Sequence, residues 1–167
     1  MGARKVMPER GSPFNSALEI GIRTLTILEA IHPASLDMQR LVEYDYLAVH
    51  SGDAGGPESL HASLPLRTGE LLVRRDIIEA GLLLMMSRNL VTKIPAREGI
   101  RYYATESAGA FLCALSSPYI AKLKNRAKWV VEYFGNASDD ELLGLTRSLF
   151  DQWTTQFQLT EKAKGAT

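Results

Sequence analysis

A mainly helical fold carrying a single β-hairpin follows from three features of the chain. Apolar residues recur at helical spacing over most of its length. One stretch, Leu90 to Leu112, breaks that period: Leu90, Val91 and Ile94 alternate imperfectly with Thr92 and Lys93, and the β-formers Ile100, Tyr102 and Tyr103 dominate the run that follows. Between the two runs lie Pro95, which cannot donate to a ladder, and Gly99, which tolerates positive φ, so Pro95 to Gly99 reads as the tip. A hairpin with a long helix leading in and another leading out is the signature of a winged-helix-like domain, here with additional C-terminal helices.

Each element has its own local warrant. Residues 1–14 mix Gly, Pro and charge without periodicity and are expected to form a flexible arm. Ser16 and Glu19 form an S-x-x-E capping pattern before Leu18, Ile22, Leu25 and Leu28, and His32-Pro33 stops that helix near Ile31. Ile20, Ile27 and Ile31 add a second apolar stripe, which predicts a central helix covered on more than one side. Ser35 is the expected N-cap of a second helix through Val49. Residues 51–68 are rich in Gly, Ser and Pro, with Leu60, Leu64 and Leu66 as apolar anchors, and read as a long functional loop. Thr68 opens a third helix to about Arg88, apolar nearly all round in its second half.

After the hairpin, Thr105 is the expected cap of a helix ending near Ser116, and Ser117-Pro118 starts the next with proline at its first position. Gly135 closes that helix, and Ser138 with Glu141 repeats the capping pattern before Leu142, Leu145 and Leu149. The expected organisation is therefore a winged-helix-like domain over 15–134, a helical extension over 135–158 and a flexible tail over 159–167.

Composition narrows the function. The chain has 167 residues, 46% of them hydrophobic, which suits one packed domain and not two. Nineteen basic residues balance nineteen acidic ones, which argues against a dedicated DNA binder, since such binding draws on a clustered excess of Lys and Arg. Cys113 is the only cysteine, so no internal disulfide or cysteine-based zinc site forms, and in its helix it is expected to be a small buried residue. No export signal or spanning segment is evident, and a soluble cytoplasmic protein is expected.

The residues most like a catalytic set are Asp45, His50, Asp53, His61 and Glu70, around the loop. Their spacing matches no metal motif, no phosphate-binding Gly-rich loop is present, and a structural role for the histidines is the stronger reading. No enzymatic activity, cofactor or metal is expected. The third helix sits where a winged helix reads DNA, yet its charges are few and gathered towards one end, so it is expected to meet protein and not bases. Lys93, Arg97 and Arg101 on the hairpin and Lys122, Lys124, Arg126 and Lys128 on the helix after Pro118 are the candidates for non-specific contacts to DNA phosphates.

Several of these stretches together, NSALEIGIRTLTILEA (15–30), SLDMQRLVEYDYLAVHSGD (35–53), SLH (59–61), RTGELLVRRDIIEAGLLLM (67–85) and GIRYYATESAGAFL (99–112), carry a resemblance. The chain resembles the middle component of bacterial ABC-three-component defence systems, the group that includes Lamassu-type systems. Where the family pattern has a proline after the loop histidine, this chain has Ala62. The resemblance implies a non-catalytic adaptor in an anti-phage or anti-plasmid complex. Such an adaptor joins an SMC-like or Rad50-like coiled-coil ATPase to an effector, often a nuclease, with the chemistry left to those partners. Leu60, His61, Arg67, Glu70, Arg74 and Arg75, where the loop enters the third helix, are the expected partner interface. A MarR-like transcriptional regulator is the alternative; it predicts a homodimer and duplex recognition through Arg74 and Arg75. A small metal-dependent hydrolase using His50 and His61 is a third reading.

Overall fold

A computed structural model describes residues 16–61, 70–149 and 151. Its elements run α1 (Ala17–Ala30), β1 (Leu36–Asp37), α2 (Met38–Val49), a 3-10 turn (Ser51–Ala54), α3 (Glu70–Ser87), β2 (Val91–Ala96), β3 (Gly99–Ala104), α4 (Ser107–Cys113) and α5 (Pro118–Phe134). A sixth helix, α6, covers 139–149. The fold is mainly α with one β-hairpin and is winged-helix-like. The 3-10 turn aside, the elements from α1 to β3 follow the helix, strand, helix, helix, hairpin order, and the three strands form an antiparallel sheet in the order β1-β3-β2. The expected arm, Leu64, Leu66, Thr68, residues 152–158 of the expected extension and the tail lie outside the described residues.

α1 is the axis of the domain. Ile20, Leu25, Ile27 and Leu28 are at most 1% exposed, and even Gly21, Arg23, Thr24 and Thr26 are buried, so the middle of the helix is covered on more than one side as its double stripe predicts. It touches α3 backbone to backbone: a Cβ added at Gly81 would stand 2.7 Å from the Gly21 nitrogen. Met85 lies over Gly21, and Ile78, Leu82 and Met85 complete the shared core. α2 is wrapped as fully, with Leu41, Tyr46, Leu47 and Val49 at 1% or less.

Several local expectations hold, and others need correction. Ser16 accepts from the Glu19 amide at 3.2 Å, Ser117 from the Ile120 amide at 3.3 Å, and Ser138 and Glu141 cap each other reciprocally at 2.9 and 3.1 Å. The second helix is capped by Asp37, whose Oδ1 accepts from the Arg40 amide at 2.8 Å, and not by Ser35. Ser35 instead precedes the short strand β1, which pairs Leu36 with Tyr102 and Asp37 with Arg101. The hairpin turn is tighter than the sequence implies: Ala96 pairs with Gly99, leaving Arg97 and Glu98 as a two-residue turn. Pro95 thus lies within β2, which is tolerated because β2 is an edge strand.

Thr105 does not cap α4. Its hydroxyl donates to the Asn89 carbonyl at 2.8 Å, tying the base of the hairpin to the end of α3. There Asn89 takes φ 58°, the Leu90 amide donates to Met85 O and the Asn89 amide to Met86 O, a Schellman closure. Cys113 is exposed, because α4 ends at that residue and the interior face of so short a helix is filled by Ala108 and Leu112.

Candidate functional site

The polar residues of α1, α2 and α3 converge in the interior. Asp45, in the middle of α2, is 1% exposed and accepts from Arg23 Nε at 2.8 Å and from an Arg23 terminal nitrogen at 2.6 Å, a bidentate pair. Arg74 of α3 donates to the same carboxylate at 2.5 Å and lies over the Tyr46 ring, 5.6 Å from its centroid. Burial on its own would raise the Asp45 pKa, but the two guanidinium charges and their hydrogen bonds outweigh it and hold the group at about 2. The carboxylate is therefore ionised and its lone pairs are engaged by donors, which leaves it a poor general base at neutral pH.

Two histidines close the cluster on the loop side. His50, the C-cap of α2, packs against Tyr46 and stands edge-on to His61 with ring centroids 6.3 Å apart. His61 Nε2 and the Tyr119 hydroxyl of α5 share a hydrogen bond at 2.9 Å. Both histidines are neutral at pH 7: burial first, then the Arg74 charge for His50 and the Arg23 charge for His61, push each down to about 4. Buried His50 Nδ1 meets no hydrogen-bond partner among the described residues.

The first part of the loop is folded onto this cluster. The Val49 carbonyl accepts from both the Leu60 and His61 amides, Ser51 donates to Pro57 O at 2.8 Å, and Gly52 N donates to the Ser59 hydroxyl at 3.0 Å. α5 clamps the outside: Arg126 donates twice to Glu58 O, and Gly56 lies so close to Trp129 that any Cβ there would overlap the indole. Convergence of the two histidines, invisible in their spacing, is thus produced by this closure. Among the described residues no group of three or more His, Cys, Asp or Glu could hold a metal ion, and no helix is long and apolar enough to cross a membrane.

A family model described as ABC-three component (ABC-3C) system Middle Component 2 matches residues 13–156. The chain belongs to this family. No curated protein and no solved structure matches it. In this middle component the segments YDYLAVHSGD and GELLVRR are the ones that deliver Asp45, Tyr46, His50 and Arg74 to the interior, and IGIRT delivers Arg23.

The other candidate residues are distributed unevenly. Of the expected partner interface, His61 and Arg74 point into the cluster, Leu60 is half-buried beneath the loop closure and Arg75 is exposed. Arg67 and the side chain of Glu70 lie outside the described residues. Asp53 is half-buried in the 3-10 turn, and burial raises its pKa. Of the phosphate candidates, Arg101 is spent on Ser35, donating to its hydroxyl at 2.9 Å and its carbonyl at 2.6 Å. Lys124 donates to Leu112 O at 3.0 Å and Arg126 to Glu58 O, whereas Lys93, Arg97, Lys122 and Lys128 extend into solvent. Sequence reasoning missed Arg23 altogether. The available signal was its place between Ile20 and Ile27, a lone cation within an apolar stripe, which requires a buried counter-charge.

Proposed function

We propose that this chain is the non-catalytic adaptor of a Lamassu-type anti-phage or anti-plasmid complex, bridging an SMC- or Rad50-like coiled-coil ATPase and an effector, a nuclease. The observation that carries this reading beyond family membership is the outward face of α3. Its exposed positions include Val73, Arg75, Asp76, Glu79, Ala80 and Leu83, with Val73 57% and Leu83 58% exposed. A duplex-reading helix needs several Arg, Lys, Asn or Gln there; Arg75, outweighed by Asp76 and Glu79 and set among Val73, Ala80 and Leu83, makes a poor base-reading face and suits a protein partner. Ile94 and Ile100 extend the apolar character onto the wing. Arg74, which the regulator reading would place against bases, donates to Asp45 inside the fold.

The test is retrieval of the tagged full chain from its host, with co-purifying chains identified and the complex sized before and after nuclease treatment. The expected result is a large coiled-coil ATPase retained without nucleic acid. A homodimer alone, held on a defined duplex and released steeply by salt, would overturn the adaptor reading in favour of the MarR-like one.

A further inference from the structure

Between the C-terminal half of α1, α4 and α5 the surface opens into a groove of about 420 Å³. That is within the size range of pockets that seat a ligand or a partner's side chains. Ala30, Leu112 and Val131 contribute apolar floor, and Gly109 adds room because it has no side chain. The Glu29 carboxylate lies across Gly109, so close that a Cβ there would stand 2.9 Å from Oε1.

Charge is divided between the two banks. Glu29 stands on the α1 bank, and Lys124, Lys128 and Glu132 on the α5 bank, which keeps a net positive charge. Lys124 is committed to the Leu112 carbonyl and closes the end of α4. Lys128 is not committed in this way: its ammonium reaches Glu132 only at 3.8 Å, with 74% of the side chain exposed. A pair so long and so exposed exchanges readily for a better partner.

We infer that this groove docks an amphipathic helix of a partner protein, with apolar side chains seated on Ala30, Leu112 and Val131, a carboxylate facing Lys128 and an Arg or Lys facing Glu29. The inference rests on the adaptor reading and names a surface that does the bridging. Helix-in-groove docking takes its affinity from apolar anchors, and the opposed bank charges fix the orientation of the bound helix. A nucleic acid would bring phosphates against Glu29 and Glu132. A second copy would bring groove against groove, two concavities that leave the floor uncovered.

Cys113, the only cysteine, lies exposed on the groove wall and offers a single attachment point for a photo-crosslinker. The full chain, labelled there with a maleimide benzophenone, is assembled in its complex and irradiated, and the joined peptides are identified by mass spectrometry. Hydrogen exchange of the unlabelled complex gives a second readout. The expected result is one contiguous partner segment with apolar residues at helical spacing, protection of α4 and α5 on assembly, and a several-fold lower crosslink yield in Lys128→Glu, a surface change that leaves the thermal midpoint in place. In an intact complex, crosslinks confined to this chain, to a second copy or to nucleic acid, or no protection of α4, overturn the groove while the adaptor reading stands. Failure to recover any complex overturns both.

Discussion

The interior cluster and the outer cationic surface use the same side chains to opposite ends. Arg23, buried, and Arg74, largely buried, are folded around Asp45, whereas Arg97 and Lys93 on the wing and Lys122 on α5 stand in water. In the interior a charge is held only because every neighbour was placed to receive it; on the surface the same charge is nearly neutral for folding and available for contact. The Arg residues that look most like recognition residues in the sequence are therefore partly structural. Exposure, and not residue type, separates the two roles.

The sharpest way to break this contrast is Asp45→Ala. Taking away the carboxylate to which Arg23 and Arg74 both donate is expected to cost about 3–5 kcal/mol, read as a lower denaturant midpoint. A loss below about 1 kcal/mol would show the cluster to be no more than a surface-type pair.

Acid titration probes the same cluster from the histidine side. The folded His50 pKa of about 4 lies below its ordinary 6.5, so the unfolded chain takes up this proton first as pH falls. The stabilisation is complete above pH 6.5 and is lost progressively between 6.5 and about 4, roughly 3 kcal/mol for this group. Asp45 extends the loss at still lower pH, from its ordinary 3.8 towards 2. His50→Gln should flatten the upper part of the stability profile, and an unaltered slope between pH 6.5 and 4.5 would contradict the burial argument.

Packing gives a smaller and oppositely signed pair. Gly81→Ala sets a Cβ against the Gly21 backbone and should cost about 1–3 kcal/mol. Gly144→Ala, which meets open space in α6, should gain about 0.5–1 kcal/mol from helix propensity. A thermal midpoint of Gly81→Ala equal to or above that of the parent chain would refute the close α1–α3 contact. Least of all, Arg97→Ala and Lys93→Ala should change stability by no more than about 0.5 kcal/mol. If these side chains meet DNA in the complex, each should lower the salt slope of its DNA affinity by about one.

Much of the secondary structure is legible in the chain because its signals are local. Ser16, Ser117-Pro118 and Ser138 with Glu141 announce helix starts through hydrogen bonds that close within three residues. The hairpin announces itself by its change of period. β1 is not legible: two residues have no period, and their pairing with Tyr102 and Arg101 depends on a strand far along the chain. Thr105 looks like a cap and acts as a tie to Asn89, because the hairpin brings that carbonyl within reach.

What the sequence by itself determined are the starts of α1, α5 and α6, the hairpin and the apolar character of α1 and α3, since these are settled by neighbours a turn or two away. Only the tertiary structure decided which charges are buried. The partners of Asp45 lie 22 and 29 residues from it, and the His61 contact to Tyr119 spans 58. Interactions over such separations leave no period in the chain, and they appear only when α1, α2 and α3 exclude water around them and each charge must find its counterpart.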